Sequence, residues 1–101
     1  MYSLTPGIES KERILLLLQL TEITSEDIIA ALVDHLERGL SVTTSAALNN
    51  VPQPNVSRAL ATLNEKAEIV EKIKEHDERR RKQYQLTDIK NNKENSSGVN
   101  E

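Results

Sequence analysis

Cysteine, tryptophan and phenylalanine are absent from this chain of 101 residues, which holds only two tyrosines, three glycines and three prolines. Without cysteine there is no disulfide framework, no thiolate metal site and no thiol nucleophile. With the large aromatics missing, the core has to be built from 13 Leu, 8 Ile, 6 Val and 7 Ala, a lean supply for which association between copies is a common remedy. Two histidines far apart, His35 and His76, do not make a metal cluster; neither metal nor cofactor is expected. The run of bulky aliphatic residues at 14–18 is too short to span a bilayer. No basic segment precedes that run and no small-residue cleavage site follows it, so the expected location is the cytoplasm rather than the membrane or the exterior. Nothing sets an acid, a base and a nucleophile together. Asp34 and His35 are helix neighbours that point in different directions, and an enzyme is not expected.

Acidic residues are missing from one stretch only. The net charge is −3, which spread evenly would argue against a polyanionic partner. Residues 1–40 hold three basic and seven acidic side chains, whereas residues 41–64 hold Arg58 and no acid. Residues 65–90 hold eight basic and seven acidic side chains, with Arg79, Arg80, Arg81 and Lys82 consecutive. Phosphates repel carboxylates at short range, so a 24-residue gap in a chain this charged marks a candidate surface for nucleic acid. A buried helix pair would lack acids too.

What is present is helical periodicity. Pro6–Gly7 makes a turn, and Ser10 is placed to cap a first helix over residues 10–20. Ile14, Leu15, Leu16, Leu17 and Leu18 cover more than one turn and so point all round it. One face packs on the domain and the other calls for a partner, most simply a second copy. This is the expected oligomerisation helix; the alternative is a helix sandwiched within one subunit. Thr24, with Asp27 three residues on, reads as the next helix start. Ile28, Ile29, Ala31, Leu32, His35 and Leu36 follow at helical spacing until Gly39 stops them. His35 on that stripe is expected to be a packed imidazole.

Ser41 starts a short helix through Leu48. Asn49–Asn50 tolerate a left-handed backbone, and Val51–Pro52–Gln53–Pro54 form a stiff connection with Pro54 suited to the first turn of the following helix. Val56, Ala59, Leu60 and Leu63 mark that helix's buried stripe; Gln53, Asn55, Ser57, Arg58 and Thr62 lie on its other sides. A short helix, a tight turn and a second helix with a polar, acid-free face is the helix-turn-helix pattern over residues 41–64, and an ordinary helical hairpin also fits it. Ala46, Val51, Val56 and Ala59 have the spacing that locks two such helices together. Asn49 falls where an apolar side chain is often buried, a role left to Leu48.

Beyond residue 64 two readings stand. As a helix, Glu68–Lys72, Glu75–Arg79 and Glu78–Lys82 are i,i+4 ion pairs and Ile69, Val70 and Ile73 share a face. As a hairpin, residues 69–74 and 83–87 are strands and the basic run sits in the loop between them. Residues 89–101, bearing Asn, Ser and Lys, read as a disordered tail. The fold class expected is therefore mainly α: a helix-turn-helix domain over residues 1–88 with an N-terminal dimerisation helix, in which residues 68–88 form either a helix or a short β-hairpin wing.

Two resemblances carry these residues further. Pro6–Gly7, Ser10, the aliphatic run Leu16–Leu18, Ile23, Ser25, Ile29, Ala31, Asp34–His35–Leu36, Gly39, Ser41, Ser57, Leu60 and Leu63 follow one another, without gaps, as in the fimbrial adhesin-biosynthesis transcription regulators of the PapB type. That resemblance implies a small bacterial DNA-binding protein that controls a fimbrial operon and occupies AT-rich sites as an oligomer. The sequence departs from the pattern at Val42 and Thr43, where basic residues are common, at Ala46, where Cys is typical, and at Pro52–Gln53–Pro54 in place of Asn-Asn-Gly. Residues 56–88, with Val56–Leu63, Lys66–Val70, Asp77–Arg81 and Tyr84–Asp88, are similar to winged helix-turn-helix repressors of the multiple-antibiotic-resistance type. In those an Arg-bearing hairpin wing follows the recognition helix, which favours the hairpin reading.

The candidate DNA-binding residues are Thr43, Thr44, Gln53, Asn55, Ser57, Arg58, Thr62, Arg79, Arg80, Arg81 and Lys82. Gln and Asn pair with adenine edges, and Arg pairs with guanine or phosphate. The threonines donate to phosphates or serve their own helix. In a wing, Arg79–Lys82 suit a narrow A·T-rich minor groove. One monomer offers few phosphate contacts, so a dimer or higher oligomer on double-stranded DNA is expected. No small-molecule effector is implied or excluded. The alternative function is a protein-interaction module that uses the leucine-rich helix, with the helix-turn-helix purely structural.

Overall fold

Three serines start three of the helices in the same way. In the computed structural model, which describes residues 4–90 with side chains as far as Tyr84, α1 spans Lys11–Leu18, α2 Glu26–Leu36, α3 Val42–Leu48 and α4 Gln53–Lys90. Ser10, Ser25 and Ser41 sit in extended backbone, and each Oγ accepts an N–H from the first turn, of Arg13, Ile28 and Thr44 respectively. Each such bond satisfies a donor that the helix start leaves without a partner. The second cap is thus Ser25, not the expected Thr24. The first helix stops at Leu18, short of residue 20, where the Thr21 hydroxyl donates to the Leu18 carbonyl at 2.7 Å.

The ends are closed by left-handed residues. Gly39 (φ +82°) donates its N–H to the His35 carbonyl and ends α2. Gly7 (φ +81°) reaches the same helix end, giving its N–H to the Leu36 carbonyl at 2.8 Å. A Cβ on either glycine would lie 3.3 Å from the Cα of the other, so the N-terminal turn and the α2 terminus meet backbone to backbone. Asn50 (φ +57°) ends α3, with Val51 N–H on the Ala46 carbonyl and Asn50 N–H on that of Ala47. This is the paired closure typical of a left-handed C-terminal cap. Pro52 supplies the first carbonyl of α4, accepting from Asn55 at 3.0 Å, and Pro54 lies in the first turn as expected.

The described residues divide into two units, one up to Val70 and one from Glu71 on. The first unit holds the core: Leu4, Ile14, Leu17, Leu18, Ala31, Leu32, Leu36, Ala46, Val56, Ala59, Leu63 and Ala67. All four helices contribute, and α2 packs against both α1 and α3. Backbone Leu4 is tied to α4 by its N–H on Asn64 Oδ1 at 2.9 Å. His35 is buried, with Nδ1 2.7 Å from the Leu40 carbonyl. It is a packed imidazole that donates to the loop after α2.

Three expectations fail here. Ile14, Leu17 and Leu18 line the core of their own subunit, and only Leu15 and Leu16 of the five interface candidates are exposed. With so few apolar residues, the domain needs three of them for itself. Leu48 does not fill the position that Asn49 leaves polar: it is 60% exposed. Asn49 instead stays half-buried because Nδ2 donates to Asp34 Oδ2 at 2.9 Å and to the Ser45 carbonyl at 2.8 Å. Satisfying the amide in place costs less than turning Leu48 inward.

The third failure is the wing. Residues 69–74 and 83–87 are helical, and no strand occurs among the described residues. The reason is chemical. Residues 65–90 contain no Gly, Pro or Asn to make a hairpin turn, whereas acids and bases three and four apart support a helix. Lys74–Glu71 (3.3 Å) and Arg81–Glu78 (3.2 Å) form such pairs, at i,i+3. The helix also takes in Ile89 and Lys90 of the expected tail; residues 91–101 of that tail lie outside the described residues. Among the described residues no helix is long and apolar enough to cross a membrane.

Candidate nucleic-acid interface

Burial along the start of α4 decides which side chains face outward. Val56, Ala59 and Leu63 are buried and Leu60 is half-buried, so the helix turns the side of Ser57, Arg58 and Ala61 to solvent. Ser57 and Arg58 are exposed there, as is Gln53 at the helix start. Asn55 and Thr62 are half-buried on one flank. Arg58 donates to Asn55 Oδ1 three residues back, which holds the guanidinium along the outer face. This is the acid-free stretch seen in the sequence, and it remains accessible rather than packed on its own chain.

Helix α3 lies before it across the turn 49–52. Ala46, Val56 and Ala59 are buried and Val51 half-buried, so the positions expected to lock the two helices do lie inside. Thr43 and Thr44 are exposed on the first turn of α3. Thr44 is partly engaged in its own helix, since the Ser41 hydroxyl donates to its Oγ1 at 2.9 Å. Its own hydroxyl proton stays available for an acceptor.

The fold adds neighbours that spacing in the chain does not suggest. An open groove of about 430 Å³ runs between α4 and the start of α2, lined by Glu22, Ile23, Thr24, Ser25, Ile28, Asn55, Arg58, Ala59 and Thr62. Glu22 is exposed and lies on the same groove as Arg58, although 36 residues separate them. The surface is therefore less free of acid than the sequence between 41 and 64. Asp34, the other acid near the motif, is spent on Arg38 (3.1 Å) and Asn49.

Arg79, Arg80, Arg81 and Lys82 belong to the second unit and are all exposed. In a hairpin loop they would have formed one concentrated tip. On a helix, successive residues are about 100° apart, so four in a row spread their charge round most of the circumference. Arg81 is paired with Glu78. Among the described residues no group of three or more His, Asp or Glu is placed to hold a metal ion.

Comparison of the chain with models of known protein families, with characterised proteins and with solved structures gives no match.

Proposed function

We propose that the chain is a bacterial DNA-binding transcription regulator that lays the first turns of α4 in the major groove. The observation that carries this reading is the exposed face of Gln53, Ser57 and Arg58 on the second helix of a helix-turn-helix arrangement. That face combines a guanidinium with amide and hydroxyl groups and is built from a stretch without carboxylates. Thr43 and Thr44 at the start of α3 serve as phosphate contacts that set the register, with Asn55 and Thr62 on the flank. Arg79–Lys82 add backbone contacts by charge alone, without a wing. The likeness to fimbrial regulators supports AT-rich duplex as the target and a fimbrial operon as the setting, with the protein acting at the nucleoid. Occupancy by a homo-oligomer fits the small footprint of one copy.

A second reading has one observation in its favour. Leu15, 39% exposed, opens onto a groove of about 310 Å³ with Ile29, Ala30 and Val33, and Leu16 beside it is 56% exposed. A protein-interaction module would use that face.

Fluorescence anisotropy with AT-rich and GC-rich duplexes at two salt concentrations separates the two. The regulator reading expects affinity that falls steeply with salt. Arg58→Ala is expected to cost about 1–3 kcal/mol of binding and to lower the salt slope by about 1. Glu22→Gln is expected to tighten binding, because it removes a like charge from the groove that Arg58 lines. No binding at low salt by the folded chain sinks the reading.

A further inference from the structure

As far as Tyr84 the second unit is a helix that buries no side chain. From Lys72 to Tyr84 every residue of α4 is exposed, including Ile73 at 53% and Tyr84 at 73%. A bare helix of this length is marginal in water, and large apolar side chains on one gain nothing until they are covered. Ile73, Asp77, Arg80 and Tyr84 recur at spacings of four, three and four. That spacing places them on one stripe, as in the seam of a two-helix coil.

We infer that this stripe is a self-association seam on which the same segment of a second copy packs in antiparallel orientation. Charge is what selects the occupant and its direction. Residues 71–78 hold four acids and two bases, whereas residues 79–90 hold five bases and one acid. Laid antiparallel about a centre between Glu78 and Arg79, the acidic half of one copy faces the basic half of the other. In that register Ile73 meets Tyr84 of the second copy, and Asp77 meets Arg80 of the second copy, twice over by symmetry. Laid parallel, Asp77 would face Asp77 and Arg80 would face Arg80. The only described partner of Asp77 is His76 Nδ1 at 3.5 Å, an ion pair only when His76 is protonated. Lys74 and Arg81, which flank the seam with like charge, are already neutralised by Glu71 and Glu78. The seam uses neither the α1 leucines nor the α4 face proposed for DNA.

The absence of cysteine makes the test clean. Ile73→Cys and Tyr84→Cys variants of the full chain, mixed under mild oxidation, are expected to give the 73–84 disulfide between different chains as the main product. Like positions lie too far apart to bond in this register. Dominant 73–73 and 84–84 disulfides, or no cross-linking above the random level, overturn the proposal. Sedimentation equilibrium on cysteine-free chains tests it separately. Asp77→Arg is expected to weaken association about tenfold, and Asp77→Arg with Arg80→Asp to restore it. A wild-type chain that stays monomeric to its solubility limit overturns the seam. Leu15→Ser with Leu16→Ser is expected to leave it intact, and so is Arg58→Ala, so a failure of the DNA reading leaves this result standing.

Discussion

Helix α4 runs through two environments under one hydrogen-bond ladder. Up to Val70 its stripe of Val56, Ala59, Leu63 and Ala67 is buried in the core of the first unit. Past Lys72 no side chain is buried as far as Tyr84, and ion pairs such as Lys74–Glu71 and Arg81–Glu78 line it instead. The first part is helical because burial of apolar area holds it there, at roughly 25 cal/mol per Å². The second rests on propensity and on pairs worth about 0.2–0.5 kcal/mol each. Identical secondary structure thus has two causes of very different strength. Only the first can hold outward side chains such as Ser57 and Arg58 in fixed positions.

The sharpest way to break this contrast is to remove the same kind of atoms from each part. Leu63→Ala is expected to destabilise the domain by about 2–5 kcal/mol in urea unfolding, a large share of the roughly 5–15 kcal/mol available. Ile73→Ala, read at a concentration where the chain is monomeric, should stay within about 0.5 kcal/mol. Equal effects would refute the division. Next in size is Glu75→Pro, which should cost about 3 kcal/mol of local helix. Circular dichroism is expected to lose the helicity of the second unit while the unfolding midpoint of the first unit stays put.

Two smaller changes test how the first unit closes its helices. Gly39→Ala puts a Cβ at φ +82°, 3.3 Å from Gly7 Cα, and is expected to lower stability by about 1–2 kcal/mol. Asn50→Gly relieves the left-handed turn at φ +57°. Thermal unfolding should show a gain of a few tenths to about 1 kcal/mol. A loss there would mean that the Asn50 side chain has a role beyond the turn.

Much of the first unit was legible because its signals are local. Ser10 and Ser41 cap, Gly39 and Asn50 terminate and Pro54 begins, each through bonds that close within a few residues. Ser25 rather than Thr24 took the second cap, an ambiguity that two adjacent hydroxyl residues leave open. The wing was misread because a likeness to winged repressors outweighed the lack of Gly, Pro and Asn between residues 65 and 90. Leu48 and Asn49 could not be sorted without Asp34, which lies 15 residues from Asn49 and supplies the bond that makes a polar side chain acceptable there. Among the candidate contacts, exposure of Gln53, Ser57 and Arg58 followed from the stripe opposite them. The approach of Glu22 to the groove of Arg58 left no trace in the pattern.

The amino-acid order alone determined where α1, α3 and α4 start and where α2 and α3 stop, and that residues 41–64 carry no acid. Capping, left-handed closure and charge content depend on neighbours within one turn. The tertiary structure decided which members of the leucine run are inside and that Glu22 shares a groove with Arg58. Burial and electrostatic proximity are distances in space, and residues far apart in the chain set them only once the chain has folded.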